Sequence, residues 1–124
     1  MIVGVGTDLV DVRRIAQLQQ RFAQRFVKRV LVPAEQLIWQ GHAQPVAYLA
    51  KRWAAKEAVA KALGTGIGAA VGFHDIEVIA AASGQPQVVL HGGAQQRLQA
   101  LGGHQCWLSL SDERHYALAF VMID

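Results

Sequence analysis

Cysteine is almost missing from this chain. Cys106 is the only one, so no disulfide can form within it. Its neighbours read as a strand, and a buried, inert thiol is the plain expectation. No run approaches the ~18 apolar residues of a membrane helix. No secretory signal opens the sequence: Asp8 and Asp11 interrupt the first apolar stretch, and no small-residue cleavage site follows. A soluble protein of the reducing cytoplasm is expected, with no membrane partner. Histidine pairs at metal-ligand spacing are absent as well. His42, His74, His91, His104 and His115 are scattered, which argues against zinc. No GxSxG, CxxC or Cys-His signature appears.

Acid is scarce near the start. Only Asp8, Asp11 and Glu35 lie between residues 1 and 40, while Arg13, Arg14, Arg21, Arg25, Lys28 and Arg29 crowd the same region. Lys51, Arg52, Lys56 and Lys61 form a second basic group. Such clusters either attract a polyanion or acidic protein or form a solvated helix face. The 124 residues are 52% hydrophobic and 17% charged, enough apolar material for the core of one domain spanning 1–124. A domain this small leaves much surface exposed, and self-association would bury more.

Ile2 to Gly6 reads as a strand ended by Thr7 and Asp8, and Asp8 or Asp11 could cap the helix that follows. That helix carries Val10, Ile15, Leu18, Phe22 and Phe26 at helical spacing. Pro33 opens a short helix that Gly41 ends, and Pro45 opens the longest one, running to Leu63. Gly64, Gly66 and Gly68 stop it. Phe73 to Ile79 and Pro86 to Leu90 read as paired strands around a turn at Ser83, Gly84 and Gln85. A short helix follows from Ala94 to Leu101. Cys106 to Ser111 and Tyr116 to Ile123 close the chain as a hairpin. The order β-α-α-α-β-β-α-β-β predicts an α+β fold with a largely antiparallel sheet.

Three groupings could carry chemistry. Asp8 at a strand end and Glu57 on the long helix are two hard-oxygen ligands; one or two carboxylates plus substrate phosphates suffice for magnesium. Pattern alone also allows Asp8 as a helix cap and Glu57 as a surface residue. Glu57 and Lys61 stand at i and i+4, with Trp53 one turn earlier and Arg52 and Lys56 forming an adjacent row. They could hold a metal and a phosphate side by side, or simply form a helical ion pair. In Gly64-Thr65-Gly66-Ile67-Gly68, exposed amides could wrap a phosphate. The loop follows a helix instead of preceding one, so it is no P-loop, and a helix stop explains it equally.

Taken together, these residues resemble the holo-acyl-carrier-protein synthases, the small bacterial type of 4'-phosphopantetheinyl transferase. The likeness rests on Gly4-Val5-Gly6-Thr7-Asp8-Leu9-Val10-Asp11-Val12 with Arg14-Ile15, and on the run from Arg52 through Gly68. It continues in Phe73 to Val78, in Gly84-Gln85-Pro86 and in Ser109 to Ala117. It runs nearly end to end. The resemblance implies a sheet packed against a long helix, with Asp8 and Glu57 as magnesium ligands. Lys61, Lys56 and Arg52 would neutralise coenzyme A phosphates, and Gly64, Thr65 and Gly66 would lie along the coenzyme. Arg14, Arg21 and Arg25 would face an acidic acyl carrier protein. A homotrimer with active sites between subunits is also implied. The implied reaction, in fatty acid biosynthesis, is attack of a carrier-protein serine on the phosphate bearing the pantetheine arm. Glu35, through a water, is the candidate base; a first-turn helix carboxylate is the alternative. One position departs from the pattern. Relatives usually carry a histidine two residues before Ser109, where this chain has Trp107. Tryptophan can only stack or donate one bond. A nucleic-acid-binding module would account for the basic first helix, but no interleaved aromatics or recognised motif support it.

Overall fold

The computed structural model describes residues 1–124. The chain runs β1 (Gly4–Asp11), α1 (Val12–Phe22), α2 (Gln24–Val30), α3 (Pro33–Gln40), α4 (Pro45–Ala62), a 3₁₀ turn (Phe73–Asp75), β2 (Ile76–Ala80), β3 (Pro86–Leu90), α5 (Gly92–Ala100), β4 (Cys106–Asp112) and β5 (Tyr116–Ile123). β5 lies between β1 and β4 in a three-stranded sheet, and β2 pairs with β3 separately; every pairing is antiparallel. This is the α+β architecture that the order of elements predicts.

The long helix α4 lies across the inner face of the larger sheet, and the alanines expected to dominate it explain why it can. Ala54, Ala55, Ala58 and Ala60 are fully buried. From the strand side, Gly4 and Gly6 meet the helix backbone. A Cβ on Gly4 would collide with the carbonyl of Ala62, and one on Gly6 with the carbonyl of Ala58. Small residues on both surfaces let strand and helix approach more closely than side chains allow. A cluster of 27 buried hydrophobic residues joins this contact to α1, α2, α5 and β2.

Three boundaries differ most from the sequence reading. The strand read from Phe73 begins only at Ile76, because Phe73–Asp75 form a 3₁₀ turn in which the Asp75 carboxylate accepts from the Gly72 N–H. β1 does not stop at Asp8 but continues to Asp11, because β5 offers partners along its whole length; Asp8 stands opposite Ala119, in mid-strand. Asp11 is the cap, its carboxylate accepting from the backbone N–H of Arg13. The expected single helix through Phe26 is two, broken at Ala23, whose φ of 50° lies in the left-handed region. No helix is long and apolar enough to cross a membrane.

The outer face of the larger sheet is unusually apolar. Val5 and Leu9 of β1, Leu118 and Phe120 of β5, and Trp107 of β4 all point outward and are exposed. Leu9 faces Leu118 across the ladder.

Candidate active site

Alternation along β1 sends Gly4, Gly6, Asp8 and Val10 to the side facing α4. The glycine contact therefore sets Asp8 beside the last turns of that helix. Lys61 reaches back across the gap. Its Nζ donates to Asp8 Oδ1 at 3.0 Å and to the carbonyl of Thr7 at 3.0 Å. Lys61 thus pairs with the strand, and the i, i+4 ion pair with Glu57 is not made.

Glu57 lies one turn before Lys61, half-buried at the cleft. Its carboxyl is held above the usual range, first by burial and then by the negative charge of Asp8; Lys61 and Arg14 pull the other way. Asp8 and Glu57 are therefore near enough to feel each other's charge. No third His, Cys, Asp or Glu completes a ligand cage around them. Two carboxylates in mutual repulsion, open on one side, are a donor set suited to a hard cation that keeps waters and borrows phosphate oxygens. On this chemistry the residues fit magnesium.

Beside Glu57 a cleft of about 480 Å³ opens between α1, α2 and α4. Its floor is apolar, made by Leu18, Phe22, Phe26, Trp53, Ile67 and Phe73; Arg14, Arg25 and Arg29 rim it. The ring of Trp53 packs against Phe26 at 5.7 Å and Phe73 at 5.1 Å, and the Arg14 guanidinium lies 5.9 Å from its centroid. Arg21 is not on this rim; it covers the ring of Phe22 at 5.0 Å. Arg29, Phe26 and Phe73 were not among the site residues drawn from the sequence. The i, i+4 pair Arg25–Arg29 within α2 carries the signal that would have found Arg29; Phe22 and Phe26 lie on either side of the break at Ala23, so helical spacing does not join them.

Three sequence expectations are corrected. Lys56 cannot meet a coenzyme phosphate and Glu35 cannot take a substrate proton, because both are buried, at 0% and 1% exposure. They bond each other, Lys56 Nζ to Glu35 Oε1 at 2.6 Å. The amides of the glycine loop do not form a phosphate cradle either. Gly64 N–H donates to the carbonyl of Lys61, and those of Thr65 and Gly66 donate to that of Ala60. The loop is a helix stop, with Gly64 and Gly66 at positive φ. Only its outer surface and the Thr65 side chain remain for a ligand. Arg52 has no carboxylate partner; its guanidinium lies over the Tyr48 ring at 4.4 Å.

The sequence matches the model of the 4'-phosphopantetheinyl transferase superfamily over residues 4–121. The chain belongs to that superfamily. Among curated relatives, the holo-[acyl-carrier-protein] synthase of Shewanella amazonensis is 50% identical over 98% of both chains. Among solved structures, that of the holo-[acyl-carrier-protein] synthase from Neisseria meningitidis superposes with a TM-score of 0.94 at 44% identity, covering 100% of this chain and 99% of its own. The Bacillus anthracis enzyme, solved in complex with coenzyme A (3',5'-ADP), superposes at 0.83 with 33% identity, covering 99% and 96%. The glycine-mediated strand–helix contact that presents Asp8, Glu57 and Lys61 thus sits in a superfamily member whose fold matches these enzymes along its length.

Proposed function

We propose that this chain is a holo-acyl-carrier-protein synthase. It transfers the 4'-phosphopantetheine group of coenzyme A to a serine of an acyl carrier protein in fatty acid biosynthesis, releasing adenosine 3',5'-bisphosphate. One observation carries the reading: Asp8, bonded to Lys61, lies within charge range of Glu57, which lines a cleft rimmed by arginines. Identity of 50% to a holo-[acyl-carrier-protein] synthase along nearly the whole chain supports it.

The chemistry is displacement at phosphorus, with the serine oxygen entering as the bisphosphate leaves. Asp8 and Glu57 are the residues that would hold magnesium, which supplies charge neutralisation at the diphosphate when bound. Lys61, half-exposed on its tether to Asp8, adds a positive charge where negative charge develops. Arg52, unpaired by any acid, is available to a further phosphate. With Glu35 in the interior, the serine proton passes to a water of the open cleft. Arg14, Arg25 and Arg29 steer the acidic carrier protein, and the aromatic floor between them offers it apolar contact.

The exposed apolar sheet face supports self-association, since a patch of this kind marks an interface; a homotrimer with active sites between subunits is the form of it that the resemblance implies. A cytoplasmic location rests on the single unpaired thiol. The test is a mass measurement on apo carrier protein, beside a gel shift on nucleic acid. A gain of one phosphopantetheine that requires both coenzyme A and magnesium is expected. No gain under any condition, or binding to nucleic acid alone, would overturn the reading.

A further inference from the structure

The buried pair Lys56–Glu35 takes no part in the chemistry just described, yet it is built with more bonds than any other side-chain group in the molecule. Glu35 Oε1 accepts from Lys56 Nζ at 2.6 Å and from the Val32 backbone N–H at 2.9 Å. Its Oε2 accepts from the Val78 N–H at 2.9 Å. Lys56 Nζ also donates to the carbonyl of Val30 at 2.6 Å. One ion pair thereby ties together α2, α3, α4 and β2.

Val30 is the last residue of α2, and α2 carries Arg25 and Arg29 of the cleft rim. This helix has seven residues, too few to be stable alone. Its first end hangs on Ala23, a non-glycine residue at positive φ with no side-chain cap. Phe26, Val27 and Val30 bury apolar surface, which holds α2 against the core but is non-directional. The bond from Lys56 to the Val30 carbonyl is directional. It fixes the far end of α2 to the helix that also bears Glu57, the neighbouring residue.

We infer that Lys56 and Glu35 are positioning residues for carrier-protein recognition: their ion pair sets α2, and with it Arg25 and Arg29, at a fixed height over the cleft relative to α4. The inference rests on the docking role proposed above for the arginine rim. The pair touches no substrate. Its effect falls on capture of the acidic protein and leaves coenzyme A binding, assigned above to Asp8, Glu57 and Lys61, unchanged.

The experiment is a double-mutant cycle in steady-state kinetics with Arg25→Ala and Lys56→Gln. Glutamine keeps donors in the interior without the charge, but falls one methylene short of serving Glu35 and Val30 together. Arg25→Ala is expected to raise KM for the carrier protein several-fold in the wild-type background, by roughly threefold less in the Lys56→Gln background. KM for coenzyme A stays within about twofold in Lys56→Gln. An equal effect of Arg25→Ala in both backgrounds overturns the positioning role and leaves the docking reading intact. No effect of Arg25→Ala in the wild type overturns the docking reading, and the inference with it. Should Lys56→Gln fail to fold, hydrogen exchange on the wild type decides. The Val30 and Leu31 amides are expected to exchange as slowly as those of α4, and rapid exchange there contradicts the tether.

Discussion

Helix α4 carries two charged groups one residue apart, and they have opposite character. Lys56 is wholly buried, and its ammonium and both oxygens of Glu35 find their partners inside the protein. Glu57 stands at the cleft beside a second carboxylate, with no bond of its own and a carboxyl pushed up by burial and by Asp8. The first group is complete and can only support structure. The second is incomplete and gains from an outside cation or phosphate. Charge alone does not distinguish a site from a scaffold; unmet bonding capacity does.

The largest effect should come from the complete group. Lys56→Met leaves the Glu35 charge buried without its partner and should cost about 3–5 kcal/mol in urea unfolding. Asp8→Ala and Glu57→Ala should barely change stability but lower transfer at least ~100-fold in the mass assay. If the two groups exchanged these signatures, the contrast would be broken. Gly6→Ala probes the contact that joins strand to helix. The new Cβ meets the Ala58 carbonyl, so about 1–3 kcal/mol should be lost on thermal unfolding, with transfer lowered as Asp8 shifts. Arg25→Ala should weaken carrier-protein capture several-fold at low salt and flatten its salt dependence, read from KM against ionic strength.

The smallest effect concerns Cys106, away from both groups. Burial pushes its thiol up to about 12. The folded protein keeps this proton where the unfolded chain, at the ordinary 9.0, has released it. Stability should therefore fall as pH rises from about 9 towards 12. Iodoacetamide at pH 8 should label Cys106 slowly until denaturant is added.

Much of this was legible in local pattern. The closing hairpin, β3 and the long helix follow from alternation, turn residues and alanine content, which are short-range signals. What the sequence concealed was long-range. β1 reads as ending at Asp8 because the β-branched run ends there, but its length is set by β5, more than a hundred residues away. Ala23 carries no composition signal for a left-handed break. Lys56 as a phosphate ligand and Glu35 as a base both presuppose access to the cleft, and nothing local in the sequence shows that they are buried. Only the fold reveals that the Val32 and Val78 amides and the Val30 carbonyl wait for them. Gly4 and Gly6 carry no local sign of their role, which is close approach to α4. Within the site, the motif pointed to Asp8, Glu57 and Lys61, while the aromatic floor from Phe26 to Phe73 needed three dimensions.

The account turns on Asp8 and Glu57 sharing one divalent ion. Titrating manganese as a paramagnetic stand-in, followed by its free-ion resonance, into wild type, Asp8→Asn, Glu57→Gln and the double variant tests this directly. Each single variant should lose most of the affinity, and the double variant should lose little more. Losses that simply add, or wild-type affinity in either single variant, would contradict it.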